Sequence, residues 1–545
     1  MNAHRDYNIL SKAISLLLLP LLLYFICFIV LTFPLILKFH THYFADTGDG
    51  CSGMWDMWWV NKAVTDLHQP VWQTNYLHYP HGTTLLAHTL SPFNGFVGIL
   101  LQKFLTLGEA FNVMVIFGFV VGGWSAFYLA YIFSRSYWGS LLAGYIFTFS
   151  SYHFAHAEGH LMLVSLEWLP LVIAAFYLLL EEPTTFRAVA SAVTLFLTIL
   201  CDYYFAFYSV MTGGILLVHR AWLRKDLLFM FRKKYLRPII VFSGLSLVTT
   251  GALVGSFLLE HARESFGAGV TNGQLDMMFL FIYGAHWRFG ELTRYFWSRT
   301  PLAPSETSVH LGFSVIFVLI YAWVNRNKIE GTRIRLWYGI FFFFLVFALG
   351  SILHIGGRTI PGVVLPYRAL TYLIPPLRVA GCTVRMTVML FLSAGIIVAM
   401  AYERLFSEFL KCKVLRVLFI SLLVIEYLPC PMVATPLDIP RYISVIKQLP
   451  PGAIADRLND VVMALYFQTL YERPQFVGYI SRYQESVDRK YGEFEVLMRD
   501  IPRYARKLYD DYKLRYILAA PNYPGNDHLK LLYSDRDCTI YELSP

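Results

Sequence analysis

The sequence predicts an α-helical polytopic membrane protein of about eleven transmembrane helices, with a small extracytoplasmic α/β domain at its C-terminal end. Three observations predict it. The 545 residues are 57% hydrophobic and only 15% charged, with a mean hydropathy of +0.51, far too apolar for a soluble chain of this length. Apolar runs long enough to span a bilayer recur along most of the chain. The basic residues, which give a net charge of +9, gather in short loops between those runs, so the charge reports topology and not nucleic-acid binding.

In order, the runs fall near 13–38, 110–134, 137–153, 160–181, 186–200, 202–222, 237–259, 308–324, 335–353, 383–402 and 416–432. The first (AISLLLLPLLLYFICFIVLTFPLILK) is too long for a secretory h-region and lacks a small-residue cleavage pattern, so it is expected to be a retained helix. A further run at 91–107 reads as an interfacial or re-entrant helix. With the N-terminus cytoplasmic, eleven crossings put the basic loops 219–238, 325–335 and 403–416 inside and the C-terminal domain outside, in a multi-pass protein of the plasma (inner) membrane. The outer face then holds 39–109, a turn at 154–160, the junction at Asp202, the loops 260–307 and 354–382, and everything after 433. Two parts follow: a transmembrane module, 1–432, with 39–109 as its first outer loop, and an α/β domain, 433–545. That domain is marked by a Pro-Gly entry, a charged helical stretch and the short strands RYILAAP and CTIYELS.

The seven cysteines are scattered without a CxxC pair, which argues against a disulfide framework or a zinc site. There is no Walker A loop, no dinucleotide-binding fingerprint after a strand and no GxSxG elbow. Chemistry outside the cytoplasm without nucleotide would draw its activated substrate from the membrane.

Polar residues concentrate on the outer face. In FADTGDGCSGMWDMWWVNK, Asp46 and Asp49 lie three apart on a glycine-containing loop, followed by Trp55, Trp58 and Trp59. A carboxylate there can serve as general base for a hydroxyl nucleophile, or two together can hold a divalent cation; an ordinary loop with an interfacial aromatic belt has the same composition. YHFAHAEGH brings His153, His156, Glu158 and His160 to the ends of adjacent spans, a set suited to phosphate, metal or proton relay, although not the HExxH signature. Asp202 sits where two runs meet, and Glu167 and Glu426 lie within runs. Such acids are functional candidates, with Glu426 assigned to hydrogen bonding between helices. In LPPLRVAGCTVRMTVM, Arg378 and Arg385 are seven apart, on one side of a continuous helix, placed to grip a lipid-linked phosphate or to snorkel to head groups.

TGDGCSGMWDMWWVNKAV, YLHYPHGTTLLAHTLSPFNG, SSYHFAHAEGHLMLVSLEWLPL, APSETSVHLGF, LPYRALTYLIPPLRVAGCTVRM and ERPQFVGYISR run in that order over almost the whole chain. Through them the chain resembles the GT-C superfamily of membrane glycosyltransferases, and more closely its bacterial and archaeal multispanning, mannosyltransferase-like members. The resemblance implies a catalytic aspartate in the first outer loop, Asp49 or Asp46. It implies a polyprenyl-phosphate-linked sugar donor and transfer at the outer face to a cell-envelope glycan, lipid or protein acceptor. The Asp-x-x-Asp spacing departs from the adjacent acids or Asp-x-Asp of several relatives, which weakens a two-carboxylate metal site. One base suffices against a phosphate leaving group and gives inversion at the anomeric carbon. Arg378, Arg385 or His160 would stabilise the departing phosphate, with His156, Glu158, Asp202 and the three tryptophans lining the substrate or anchoring the loop. The competing class is a transporter or flippase of lipid-linked saccharides, for which inverted repeats and charges near the midplane would be expected. A third reading is a degenerate relative whose outer domain only binds glycan or a partner.

Overall fold

The computed structural model describes residues 14–267, 273–379 and 381–544. Residue 13, where the first predicted span begins, and the N-terminal residues before it lie outside the described residues. Among the described residues, five helices are long and apolar enough to cross a membrane: Ile14–Thr32, Leu107–Ser134, Lys233–Arg263, Gly331–Ala348 and Thr383–Phe409. Of the other predicted runs, 202–222 forms one 22-residue helix, Tyr203–Arg224, that is less apolar; the rest are shorter or interrupted, and local chemistry shows why. The run at 137–153 stops at Thr148 because Ser150 turns extended and caps a new helix, Ser151–His156, accepting from the His153 amide. The run at 160–181 becomes Leu161–Val164 and Trp168–Glu181. Thr185–Cys201 and Tyr203–Arg224 meet at Asp202, whose extended backbone ends the first and whose carboxylate caps the second. Pro92–Leu101 has ten residues, about 15 Å at 1.5 Å per residue and half the hydrocarbon thickness, so it is too short to span.

The chain divides into two compact units, taken separately here: Met1–Leu37 with Val113–Val254 and Ala268–Met432, and Lys38–Asn112 with Gly255–Gly267 and Val433–Pro545. Residues 39–109 thus fall with the tail, where the sequence groups them with the spans. In the helical unit, Thr387–Arg404 is nearly all buried and packs against Tyr137–Thr148 and Gly331–Ala348. Glycines set the approach: a Cβ on Gly139 would come 2.7 Å from the Ala399 carbonyl oxygen, and one on Gly395 2.9 Å from that of Ala143. Lipid supplies no hydrophobic drive between spans, so close backbone packing at small residues supplies the attraction.

The second unit holds a buried helix, Asp49–Asn61, and a four-stranded sheet in the order Ala453–Asp456, Leu514–Ala519, Thr539–Leu543, Leu529–Ser534. The first pair is parallel and the others antiparallel. The two strands expected in the tail are its second and third members. Helices Glu485–Met498 and Ile501–Asp510 bury Phe494, Leu497, Ala505 and Leu508 in the core that the sheet shares.

Candidate functional site

In the second unit, Asp46 and Asp49 differ in role because of two glycines. The Asp46 Oδ1 accepts from the amides of Gly48 (3.0 Å) and Gly50 (2.9 Å), so this carboxylate closes the turn into the helix. A Cβ on Gly50 would lie 2.6 Å from the Ala45 Cβ and 3.2 Å from Asp46 Oδ1; glycine there lets the carboxylate reach the backbone. Asp49 is the first residue of the helix and half-buried, at the helix end that favours an anionic side chain. Cys51 is no competing nucleophile, since burial, with Asp46 nearby, pushes its thiol up to about 11.

Trp55, Trp58 and Trp59 are core residues of a helix, which corrects the expectation of loop anchors or a lined path. All three are buried, and Trp55 stacks on Trp59 with centroids 5.7 Å apart. Trp55 Nε1 donates to Gln468 Oε1 at 2.7 Å and Trp59 Nε1 to the Val71 carbonyl at 2.9 Å. Their indole N–H groups therefore face protein acceptors, as buried tryptophans require.

In the helical unit, a second set of charged groups is buried at the start of the span Thr383–Phe409. Arg385 donates from Nε (3.0 Å) to Glu306 Oε1, and its Nη2 lies 2.9 Å from the same oxygen. Glu306 Oε2 lies 3.7 Å from His156 Nε2, and neither that oxygen nor either His156 nitrogen has a hydrogen-bond partner. The His160 ring sits edge-on to His156 at 5.3 Å. Burial, reinforced by His160, holds His156 well below the usual histidine range, so its ring is neutral. The arrangement is one guanidinium tied to one carboxylate, with neutral imidazole nitrogens beside it. It can accept an anion that trades for part of the Glu306 contact and hydrogen-bonds to imidazole.

The remaining predicted residues scatter around this cluster. Asp202 accepts from the Tyr204 (2.6 Å) and Phe205 (3.2 Å) amides as a helix cap. Glu158 Oε2 pairs with His286 Nε2 at 2.8 Å, and His286 Nδ1 lies 2.9 Å from Ser308 Oγ. His153 is held between the Thr148 and Val164 carbonyls, a structural role. Glu426 accepts from Tyr283 Oη (2.9 Å) and from the amides of Phe313 (2.7 Å) and Ser314 (3.0 Å), joining helix ends by hydrogen bonds. Arg378 does not join Arg385: Pro375–Arg378 and Thr383–Met386 are separate 3-10 turns with Gly381 at φ +65° between them. Arg378 is exposed, over the Tyr372 ring.

Sequence reasoning missed Glu306, His286 and the pair Asp56–His88. Glu306 stands alone as an acid in APSETSVH, directly before a predicted span, which was its available signal. His88 Nε2 lies 2.9 Å from Asp56 Oδ1, and its Nδ1 accepts from the Ser481 amide at 3.1 Å. Nothing local marks that pair, whose members are 32 residues apart. Among the described residues, no group of three His, Cys, Asp or Glu comes together as a metal-ligand set.

A family model described as Domain of unknown function (DUF6311) matches residues 21–425. No curated protein sequence matches the chain. Among solved structures, the chain is similar to the Archaeoglobus fulgidus oligosaccharyltransferase in complex with Zn and sulfate, with 10% identity over 92% of this chain and 68% of that one and a TM-score of 0.49. It is similar to the Archaeoglobus fulgidus oligosaccharyltransferase AglB in complex with an inhibitory peptide and a dolichol-phosphate, with 11% identity, 92% and 69% coverage and a TM-score of 0.42. ArnT from Cupriavidus metallidurans bound to undecaprenyl phosphate gives 12% identity, 96% and 97% coverage and a TM-score of 0.41. These likenesses are distant, and the chemistry of this chain is read from its own residues.

Proposed function

We propose that this chain, which belongs to the DUF6311 family, is a membrane glycosyltransferase of the GT-C kind. In this reading it moves a hexosyl group from a polyprenyl-phosphate-linked donor to a cell-envelope glycan, lipid or protein hydroxyl on the outer face. The observation that carries the assignment is the division of labour in the first outer loop. Asp46 closes its turn through the amides of Gly48 and Gly50 and Asp49 opens the helix half-buried, and in this reading Asp49 is the base.

Asp49 takes the acceptor hydroxyl proton as that oxygen attacks the anomeric carbon. The bond from carbon to phosphate oxygen breaks on the opposite side, the configuration inverts, and the electron pair leaves on the polyprenyl phosphate. Within the helical unit, Arg385 and His160 are read by themselves as a group able to hold a phosphate. Arg378, separated from them by the break at Gly381, is assigned to the membrane surface. The N-terminus is cytoplasmic and the α/β region extracytoplasmic in this reading.

The test is transfer by the purified chain in nanodiscs, supplied with radiolabelled polyprenyl-phosphate mannose or glucose and membrane extract. Wild type transfers label, Asp49→Asn loses about 100-fold or more, as expected for removal of a general base, and Asp46→Asn retains most of the rate. Equal transfer by wild type and Asp49→Asn overturns the assignment of the base. Binding or translocation of labelled lipid without transfer, unchanged in both variants, supports a transporter instead.

A further inference from the structure

The basic loops 219–238 and 325–335, which in the sequence only report topology, bring Arg220 and Arg333 together in the helical unit at a cavity of about 160 Å3. One water needs about 10–15 Å3, so the space admits a group of many atoms. We propose that it holds the phosphodiester head group of a membrane phospholipid.

Among the described residues, four helices line the cavity. Phe133 comes from the end of Leu107–Ser134, Glu181 from the end of Trp168–Glu181, Arg220 from the last turns of Tyr203–Arg224, and Arg333 from the start of Gly331–Ala348. Phe133, Leu180, Leu216 and Leu336 are buried and make an apolar wall. The charged groups stand in front of it.

Charge selects the ligand. Glu181 Oε1 lies 2.7 Å from Arg220 Nη1, and the Tyr177 hydroxyl faces the same carboxylate, so the two opposite charges cancel within the cavity. Arg333 remains. Its ion pair, Nη1 to Glu330 Oε2 at 2.8 Å, joins neighbours three residues apart whose side chains are 42% and 58% exposed. A pair so exposed contributes little, and a guanidinium has five donors in a fork that fits phosphate oxygens. One surplus positive charge in the lining matches the single negative charge of a phosphodiester. A phosphomonoester, with nearly two, would leave charge uncompensated beside Glu181.

The surroundings select a lipid over a free anion. An apolar wall offers a hydrated phosphate nothing, whereas it suits the first methylenes of acyl chains. Leu223 lines the cavity and is 44% exposed, so it stands at the mouth, and Val218 and Trp222 on the same helix are exposed. An exposed tryptophan at the end of an apolar helix marks the depth at which lipid phosphates lie. Basic pockets between membrane helices take such head groups.

The test is native mass spectrometry of the full chain, delipidated in detergent and then given phosphatidylglycerol, glycerophosphoglycerol (the same phosphodiester without acyl chains) or inorganic phosphate. Wild type is expected to retain one phosphatidylglycerol under activation that strips the others, and to bind neither chain-free compound at the same concentration. Retention should fall at least fivefold in Arg333→Gln and in Leu223→Trp, which fills the mouth. It should stay within twofold in Arg335→Gln, which removes an exposed cation of the same loop that does not line the cavity. Arg333 and Leu223 are both partly exposed, so neither change disturbs the core. No retained lipid in wild type, or unchanged retention in both cavity variants, overturns the site. An equal fall in Arg335→Gln overturns it as well, because diffuse attraction would then account for the lipid. Equal binding of glycerophosphoglycerol or phosphate overturns the lipid in favour of a free anion. Sugar takes no part in this readout, so the lipid site and the proposed transfer fail separately.

Discussion

Asp46, beside the start of helix Asp49–Asn61, and Glu306 of the helical unit meet the same requirement by opposite means. Asp46 satisfies its carboxylate within four residues, from the amides of Gly48 and Gly50, and remains partly in water. Glu306 is buried and finds its counter-charge in Arg385, 79 residues away. A charge that keeps some hydration needs only a local turn, whereas one denied water is tolerable only beside an opposite charge. The loop therefore keeps an acid partly hydrated at a helix start, and the helical unit holds Glu306 beside an opposite charge.

The largest expected break in that contrast is Glu306→Gln, which leaves the Arg385 guanidinium buried without its anion. Removing one partner of a buried pair costs about 3–5 kcal/mol, so thermal unfolding in nanodiscs should show a strongly lowered midpoint, partly restored by Glu306→Gln with Arg385→Met. An unchanged midpoint in the single variant would mean the pair is not locked.

Next in size is an acid-side effect in the second unit. The folded-state pKa of His78, about 4, lies below the ordinary 6.5, so the unfolded chain takes up the proton first. Stability from this residue is whole above pH 6.5 and declines as pH falls through about 4, by about 3 kcal/mol in total. His78→Asn should flatten the midpoint against pH between those values, and an identical slope in both proteins would remove His78 from the account.

Smaller still, Asp46→Ala should cost about 1 kcal/mol, the usual loss of a helix-start acceptor. Asp49→Asn should shift stability by less than about 0.5 kcal/mol while removing transfer. If the two variants exchanged these phenotypes, the division of roles in the loop would be reversed.

Legibility in the sequence followed the range of the interactions. The long apolar helices were readable because lipid requires about twenty apolar residues for each crossing. The strands RYILAAP and CTIYELS were readable from β-prone residues between turn signals. The acidic loop was visible as a composition anomaly, but not its helix, because three tryptophans after glycines look alike whether they coat a membrane surface or fill a core. The alignment of Arg378 with Arg385 assumed a continuous helix that Gly381 breaks. Glu306 was visible only as an acid in a loop; its importance lies in what it touches.

The sequence by itself determined the apolar helical character of the chain, the glycines that shape the Asp46 turn and the place of the acids relative to the helical runs, because each depends on neighbours within a few residues. Only the tertiary structure decided that residues 39–109 fall in one unit with the tail, that Arg385 is bound to Glu306, and that His78 is buried. Those outcomes depend on which remote segments exclude water from a given side chain, and no local pattern carries that information.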